Sequence, residues 1–216
     1  MDKITNIVSI GCSWVAHPYD WEEKIRLDKV NPNVKYITEK DAKKYSFAKY
    51  LADKLDVPYH NLAGAGCSND DTFINLIAKI NKLKNSFVII GLTDPQRHTF
   101  GKKRFKFVDS DDGFWEWKKT FFKNFYDEPC RISYTIMMLD LFNEYLKNKN
   151  SKLVVFNSFT NEVTYPKRNY FFGKFNTWKD YICSYDNLYV YHHNVHPIEY
   201  DHKKLANLLY EEYFCE

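Results

Sequence analysis

Four short segments carry the residue types from which a nucleophilic site can be built: Gly11-Cys12-Ser13-Trp14, Asn61-Leu62-Ala63-Gly64-Ala65-Gly66, Gly91-Leu92-Thr93-Asp94 and His196-Pro197. A serine hydroxyl needs a proton acceptor before it can attack a carbonyl, and an imidazole supplies one near neutral pH. Glycines beside such a serine allow a tight turn and let backbone N–H groups face a bound group. Each segment also has an ordinary reading. Most Gly-x-Ser serines cap a helix or turn, and a histidine before proline can cap the helix that follows.

The elements that must position these segments are legible from the apolar pattern. Ile4 to Ile10 is a β-branched run ending at Gly11, Val57 to Leu62 is a second short strand, and Phe87 to Leu92 is a third. The third is continuously apolar, as expected of a parallel strand covered on both faces. Lys152 to Phe156 and Asn187 to Tyr191 give a fourth and a fifth. Helical spacing marks residues 45–56, a helix capped by Ser68 or Asn69, another over about 130–148, and Ile198 to Phe214 at the end. Strands alternating with helices imply right-handed crossovers. We therefore expect one α/β domain over 1–216, a doubly wound, flavodoxin-like three-layer sandwich with a parallel sheet of about five strands.

Three stretches exceed ordinary βα loops: about 14–40, 95–128 and 157–186. They are rich in aromatic residues, including Tyr165, Tyr170, Phe171, Phe172, Phe175 and Trp178 in the last. They follow strands at their C-terminal ends, the edge where open α/β sheets bind ligands. Two readings stand for them, as walls of a pocket or as satellite cores and oligomer contacts.

Bulk composition narrows the classes. The 216 residues are 44% hydrophobic and 27% charged, and the formal net charge is +3, too small to imply nucleic acid. The basic and aromatic run Arg97 to Lys106 is followed by Asp109, Asp111, Asp112 and Glu116, which largely cancel it. No apolar stretch approaches the roughly 18 residues needed to span a bilayer. Five scattered cysteines (12, 67, 130, 183 and 215) form no CxxC pair and read as reduced thiols. With no secretory pattern in Met1 to Asn6, the expectation is a cytoplasmic protein. His192, His193, His196 and His202 form a histidine-rich patch. Adjacent strand residues face opposite ways, and no carboxylate–cysteine set completes a metal site, so neither metal nor other cofactor is expected.

Taken in order, the four segments resemble the blocks of the SGNH (GDSL-like) hydrolase family: Gly-Asp-Ser, a glycine after strand two, Gly-x-Asn-Asp, and Asp-x-x-His-Pro before the C-terminal helix. Here they correspond to Gly11-Cys12-Ser13, Gly66, Gly91-Leu92-Thr93-Asp94 and His193-Asn194-Val195-His196-Pro197. The continuation Asp201-His202-Lys203-Lys204-Leu205-Ala206 is similar to the family's Gly-His-x-x-Leu-Ala. The resemblance implies Ser13 as nucleophile, His196 as general base, and oxyanion donors at the Ser13 N–H, the Gly66 N–H and position 93. It departs from the family where Thr93 replaces the asparagine donor and where His193 replaces the aspartate that orients the base. Trp14, Asp94, Arg97 and His193 are candidates for support or substrate contact, Arg97 as an anchor for a carboxylate or phosphate. Two functions follow. One is a serine ester hydrolase acting on a small-molecule, glycan or modified-metabolite ester through a Ser–His dyad or incomplete triad. The other is a catalytically impaired protein of the same fold that binds a sugar, nucleotide or protein partner through its aromatic insertions.

Overall fold

In a computed structural model of the chain, strand β1 (Asn6–Gly11) lies at the middle of a parallel sheet. Residues 3–18, 39–64, 66–100, 103–105, 120–121, 123–158, 163, 175–185 and 196–215 are described by the structure. After β1 come α1 (Ser13–Ala16), α2 (Glu39–Ala42), a 3-10 turn at Lys43–Tyr45 and α3 (Phe47–Leu55). Then follow β2 (Tyr59–Asn61), α4 (Asn69–Ile77), β3 (Ser86–Leu92) and a two-stranded antiparallel ribbon, β4 (His98–Phe100) with β5 (Lys103–Phe105). The chain closes with α5 (Glu128–Lys147), β6 (Lys152–Asn157), α6 (Trp178–Cys183) and α7 (Glu199–Phe214).

The sheet order is β2-β1-β3-β6, all parallel. Stepping outward both ways from β1 is the doubly wound arrangement, and it puts the switch point beside β1, where ligands bind in such sheets. Alternating side chains feed two cores. Ile7, Phe87, Ile89, Val154 and Phe156 pack against α3, α6 and α7, while Val8, Ile10, Val88, Ile90 and Val155 pack against α4 and α5. This makes the expected three layers. The fifth strand expected at Asn187 to Tyr191 lies outside the described residues.

Local signals set the element ends. Asp56 takes the left-handed conformation (φ 52°) after α3, and the Val57 N–H returns to Ala52 O at 3.1 Å, closing the helix before Pro58. β2 is shorter than the apolar run because Pro58 has no N–H; it contributes only its carbonyl, which accepts from Ile7 N–H at 2.9 Å. Helix α5 starts two residues earlier than its apolar spacing indicates. The Asp127 carboxylate accepts from Cys130 N–H at 3.0 Å, and Pro129 occupies the first turn.

Parts of the aromatic insertions are described. Trp178 belongs to the principal core, fully buried against Phe47 (5.9 Å between ring centroids) and Phe156 (5.7 Å). Among the described residues no helix is long and apolar enough to cross a membrane.

Candidate active site

Ser13 stands at the end of β1 because two glycines open a notch in the sheet. Gly11 and Gly91 are register partners on adjacent strands, and Val15 of α1 sits over both. A Cβ on Gly91 would come 2.3 Å from Val15 Cγ2. One on Gly11 would come 2.5 Å from Gly91 O, and Gly11 also has φ +150°, a conformation open mainly to glycine. Val15 N–H and Ala16 N–H both return to Cys12 O, at 3.0 and 3.1 Å, so the chain turns into α1 directly after Gly11. Ser13 is 6% exposed.

The second segment is laid across this turn. Leu62 N–H donates to Ser9 O at 2.8 Å and Gly64 N–H to Gly11 O at 3.1 Å. The Asn61 amide donates to Ala16 O at 2.7 Å and accepts from Ala63 N–H at 3.1 Å, tying β2 to the end of α1. Lys43 Nζ donates to Ala63 O at 2.6 Å. Gly66 has φ +70°, and the space a Cβ would occupy is open. Among the described residues neither the Ser13 N–H nor the Gly66 N–H has a protein acceptor.

Beyond Gly66, Ser68 and Asp71 form a reciprocal cap, with Ser68 N–H to Asp71 Oδ2 at 2.9 Å and Asp71 N–H to Ser68 Oγ at 3.2 Å. That cap starts α4 and fixes Asn69, whose amide grips the third segment from both sides. Its Nδ2 donates to Thr93 O at 3.1 Å, and its Oδ1 accepts from Thr93 N–H at 3.0 Å. The Thr93 hydroxyl is buried and has no hydrogen-bond partner among the described residues. A burial of that kind costs about 1–3 kcal/mol. Asp94 serves its own turn, its Oδ1 accepting from Gln96 N–H at 2.8 Å and its carbonyl from Arg97 N–H at 3.0 Å. The Arg97 side chain is half-buried.

The fourth segment brings His196 to the serine. Ser13 Oγ and His196 Nε2 are 3.1 Å apart. Trp14 flanks the imidazole (5.8 Å between ring centroids) and meets Trp178 edge-on at 5.9 Å. His193, the other residue expected here, lies outside the described residues.

His202 takes a different role from His196. It is fully buried on α7, and its Nδ1 accepts the Phe47 N–H that opens α3, at 3.1 Å. Burial, and secondarily the nearby His17, lowers its pKa to about 3, so the ring is neutral with its proton on Nε2. Among the described residues no three His, Cys, Asp or Glu side chains are grouped to hold a metal ion.

The structure thus joins Ser13, Trp14 and His196, and places Gly66 and Thr93 on the two loops beside the serine. Sequence reasoning missed Asn69, read only as a cap. It also missed Asp201 and Tyr185, which are joined at 2.6 Å. Only Asp201 left a trace, an acidic residue where the resembling motif has glycine.

No protein-family model matches the sequence, and no curated protein matches it in sequence. Solved structures do match in fold. One is a psychrotrophic esterase from Pseudoalteromonas sp., in a form inhibited by monoethylphosphonate: 11% identity, 96% of this chain and 95% of that one, TM-score 0.51. Another is an acetyl xylan esterase from the rumen bacterium Butyrivibrio proteoclasticus: 12% identity, 98% of this chain, TM-score 0.50. This chain spans only 65% of the latter. The protein therefore has the α/β fold of these esterases, in agreement with the SGNH resemblance of its ordered segments.

Proposed function

We propose that the protein is an SGNH-like serine ester hydrolase. The observation that carries this reading is the 3.1 Å approach of Ser13 Oγ to His196 Nε2, two residues from opposite ends of the chain. With the ring proton on Nδ1, the serine hydroxyl donates to Nε2, the arrangement a general base needs. Ser13 Oγ attacks the ester carbonyl while its proton passes to Nε2. The tetrahedral oxyanion is met by the Ser13 and Gly66 N–H groups, which have no other acceptor among the described residues; one well-placed donor of this kind is worth about 3 kcal/mol. Nε2 then returns the proton to the departing alcohol, leaving an acyl-serine. Water, deprotonated by the same nitrogen, releases the acid and restores the serine. The substrate class is an acyl ester of a small molecule, glycan or modified metabolite.

The threonine at position 93, where the resembling family has an asparagine donor, favours the second reading, a binding protein of the same fold. One experiment separates the two. A fluorophosphonate probe should label Ser13, and the protein should hydrolyse p-nitrophenyl acetate at a rate that Ser13→Ala abolishes. A folded protein with no label and no turnover supports binding alone.

A further inference from the structure

Four observations meet at the start of α7. The Asp201 carboxylate, 2% exposed, accepts Ile198 N–H at 2.9 Å through Oδ2 and the Tyr185 hydroxyl at 2.6 Å through Oδ1. Ile198 is two residues from His196, with the buried Pro197 between them. Tyr185 sits two residues past the end of α6, while Trp178, at the other end of α6, packs edge-on against Trp14, the neighbour of Ser13. The Tyr185 ring is itself held, by Tyr181 at 5.2 Å, by Tyr200 at 6.3 Å and by the Lys204 ammonium 3.3 Å from its centroid.

Resting on the hydrolase reading, we propose that Tyr185 and Asp201 are positioning residues for His196, and that α6 is the strut gauging the base against the nucleophile. One end of the strut touches the residue after Ser13. The other end, through a phenol and a carboxylate, holds the backbone two residues after His196. Whatever orients the imidazole itself, the peptide that carries it is fixed by this chain of hydrogen bonds. A carboxylate at the third position of a helix ordinarily caps only its own helix. Here its second oxygen is committed to a phenol on another element, which a cap does not require. Hydrogen bonds to a carboxylate are among the stronger ones, and the two oxygens are held by donors from separate segments. Burial first, and the bond to Asp201 second, push the Tyr185 phenol well above its ordinary range, so it remains a donor throughout the pH range of ester hydrolysis.

Tyr185→Phe tests the proposal because it removes the hydroxyl and keeps the ring contacts. The expected result is a fall of about tenfold in kcat for p-nitrophenyl acetate, with KM within about twofold, since small misplacements of a catalytic group act on the chemical step. Fluorophosphonate labelling of Ser13 should slow by a similar factor. Asp201→Asn, which can keep an acceptor for Ile198 N–H but loses the charge, should fall between wild type and Tyr185→Phe or match the latter. A readout independent of turnover is the 15N spectrum of the His196 ring, whose Nε2 signal should shift or broaden in Tyr185→Phe while the His202 signals stay in place. Wild-type turnover, labelling and His196 signals in Tyr185→Phe overturn the positioning role and leave the hydrolase reading intact. If the wild-type protein neither turns over nor labels, the hydrolase reading fails. The ring signals then decide alone: a perturbed His196 supports the strut and an unperturbed one overturns it.

Discussion

Ser13 is located by packing and His196 by polar contacts, and the two halves of the site answer differently to change. On the serine side, β1 ends in a glycine notch, Val15 fills it, and the backbone of β2 is laid over the turn. Little there can move without a steric clash. On the histidine side, the segment is held by a carboxylate, a phenol and a peptide N–H. Hydrogen-bonded supports can be weakened singly, without cavity or clash. The serine thus takes its place from the sheet, whereas the histidine, on a late segment, is tied in by side chains.

The largest effect expected is chemical. Ser13→Ala and His196→Ala should each lower kcat for p-nitrophenyl acetate by about a thousandfold or more, and the double variant should lose no more than the worse single one. Additive losses would mean that the two groups do not act as a unit.

That Ser13 and His196 lie together was expected from the resemblance of the four ordered segments, and the parallel sheet and its two covered faces were legible in the apolar pattern. The apolar runs of β1, β3 and β6 are written directly in sequence because burial on both faces favours apolar residues at nearly every position. The first turn of α5 lies ahead of the apolar spacing because Asp127 and Pro129 mark it by capping rather than by periodicity. Of the pairs Asn69 with Thr93 and Tyr185 with Asp201, the sequence showed only a cap at Asn69 and an acidic residue at 201, and neither pairing. Polar pairs between distant segments have no period, and each partner alone resembles a surface residue.

The next effect sharpens the steric half of the comparison. Gly11→Ala should destabilise by about 3 kcal/mol or more in urea unfolding, since the new methyl meets a carbonyl oxygen and the backbone is strained as well. Gly66→Ala should cost only about 1 kcal/mol, because its space is open and only the left-handed backbone is disfavoured. Equal losses at the two positions would remove the distinction between notch and open loop.

Asn69→Ala probes a polar support on the serine side. It leaves the Thr93 N–H and carbonyl without their partner and should cost about 1–3 kcal/mol. Turnover should fall alongside stability, because Thr93 borders the site. Unaltered unfolding would show that water replaces the amide without loss.

The smallest effect at neutral pH, growing only in acid, belongs to His202. Its folded pKa of about 3 lies below the ordinary value of 6.5, so between them the unfolded chain binds a proton that the native one does not. Stability from this group is complete above pH 6.5 and declines as pH falls toward 3. Melting temperature should drop across that window while the His202 ring signals stay those of a neutral imidazole. A ring that protonates near pH 6.5 without loss of structure would contradict this.

The notch at Gly11, Gly91 and Val15 also bears on how the sequence can drift. The obstacle at position 91 is mainly a side chain, Val15 Cγ2, with the Phe156 ring 3.0 Å away as the second contact. Gly91→Ala should therefore be tolerated better together with Val15→Ala than by itself, so the two positions change as a pair. Position 11 meets Val15 Cγ2 as well, at 2.8 Å, but its nearest obstacle, at 2.5 Å, is a backbone oxygen that every amino acid carries, so no change at position 15 frees it. In a library randomised at 11, 15 and 91, recovered clones should show correlated choices at 15 and 91 and glycine alone at 11.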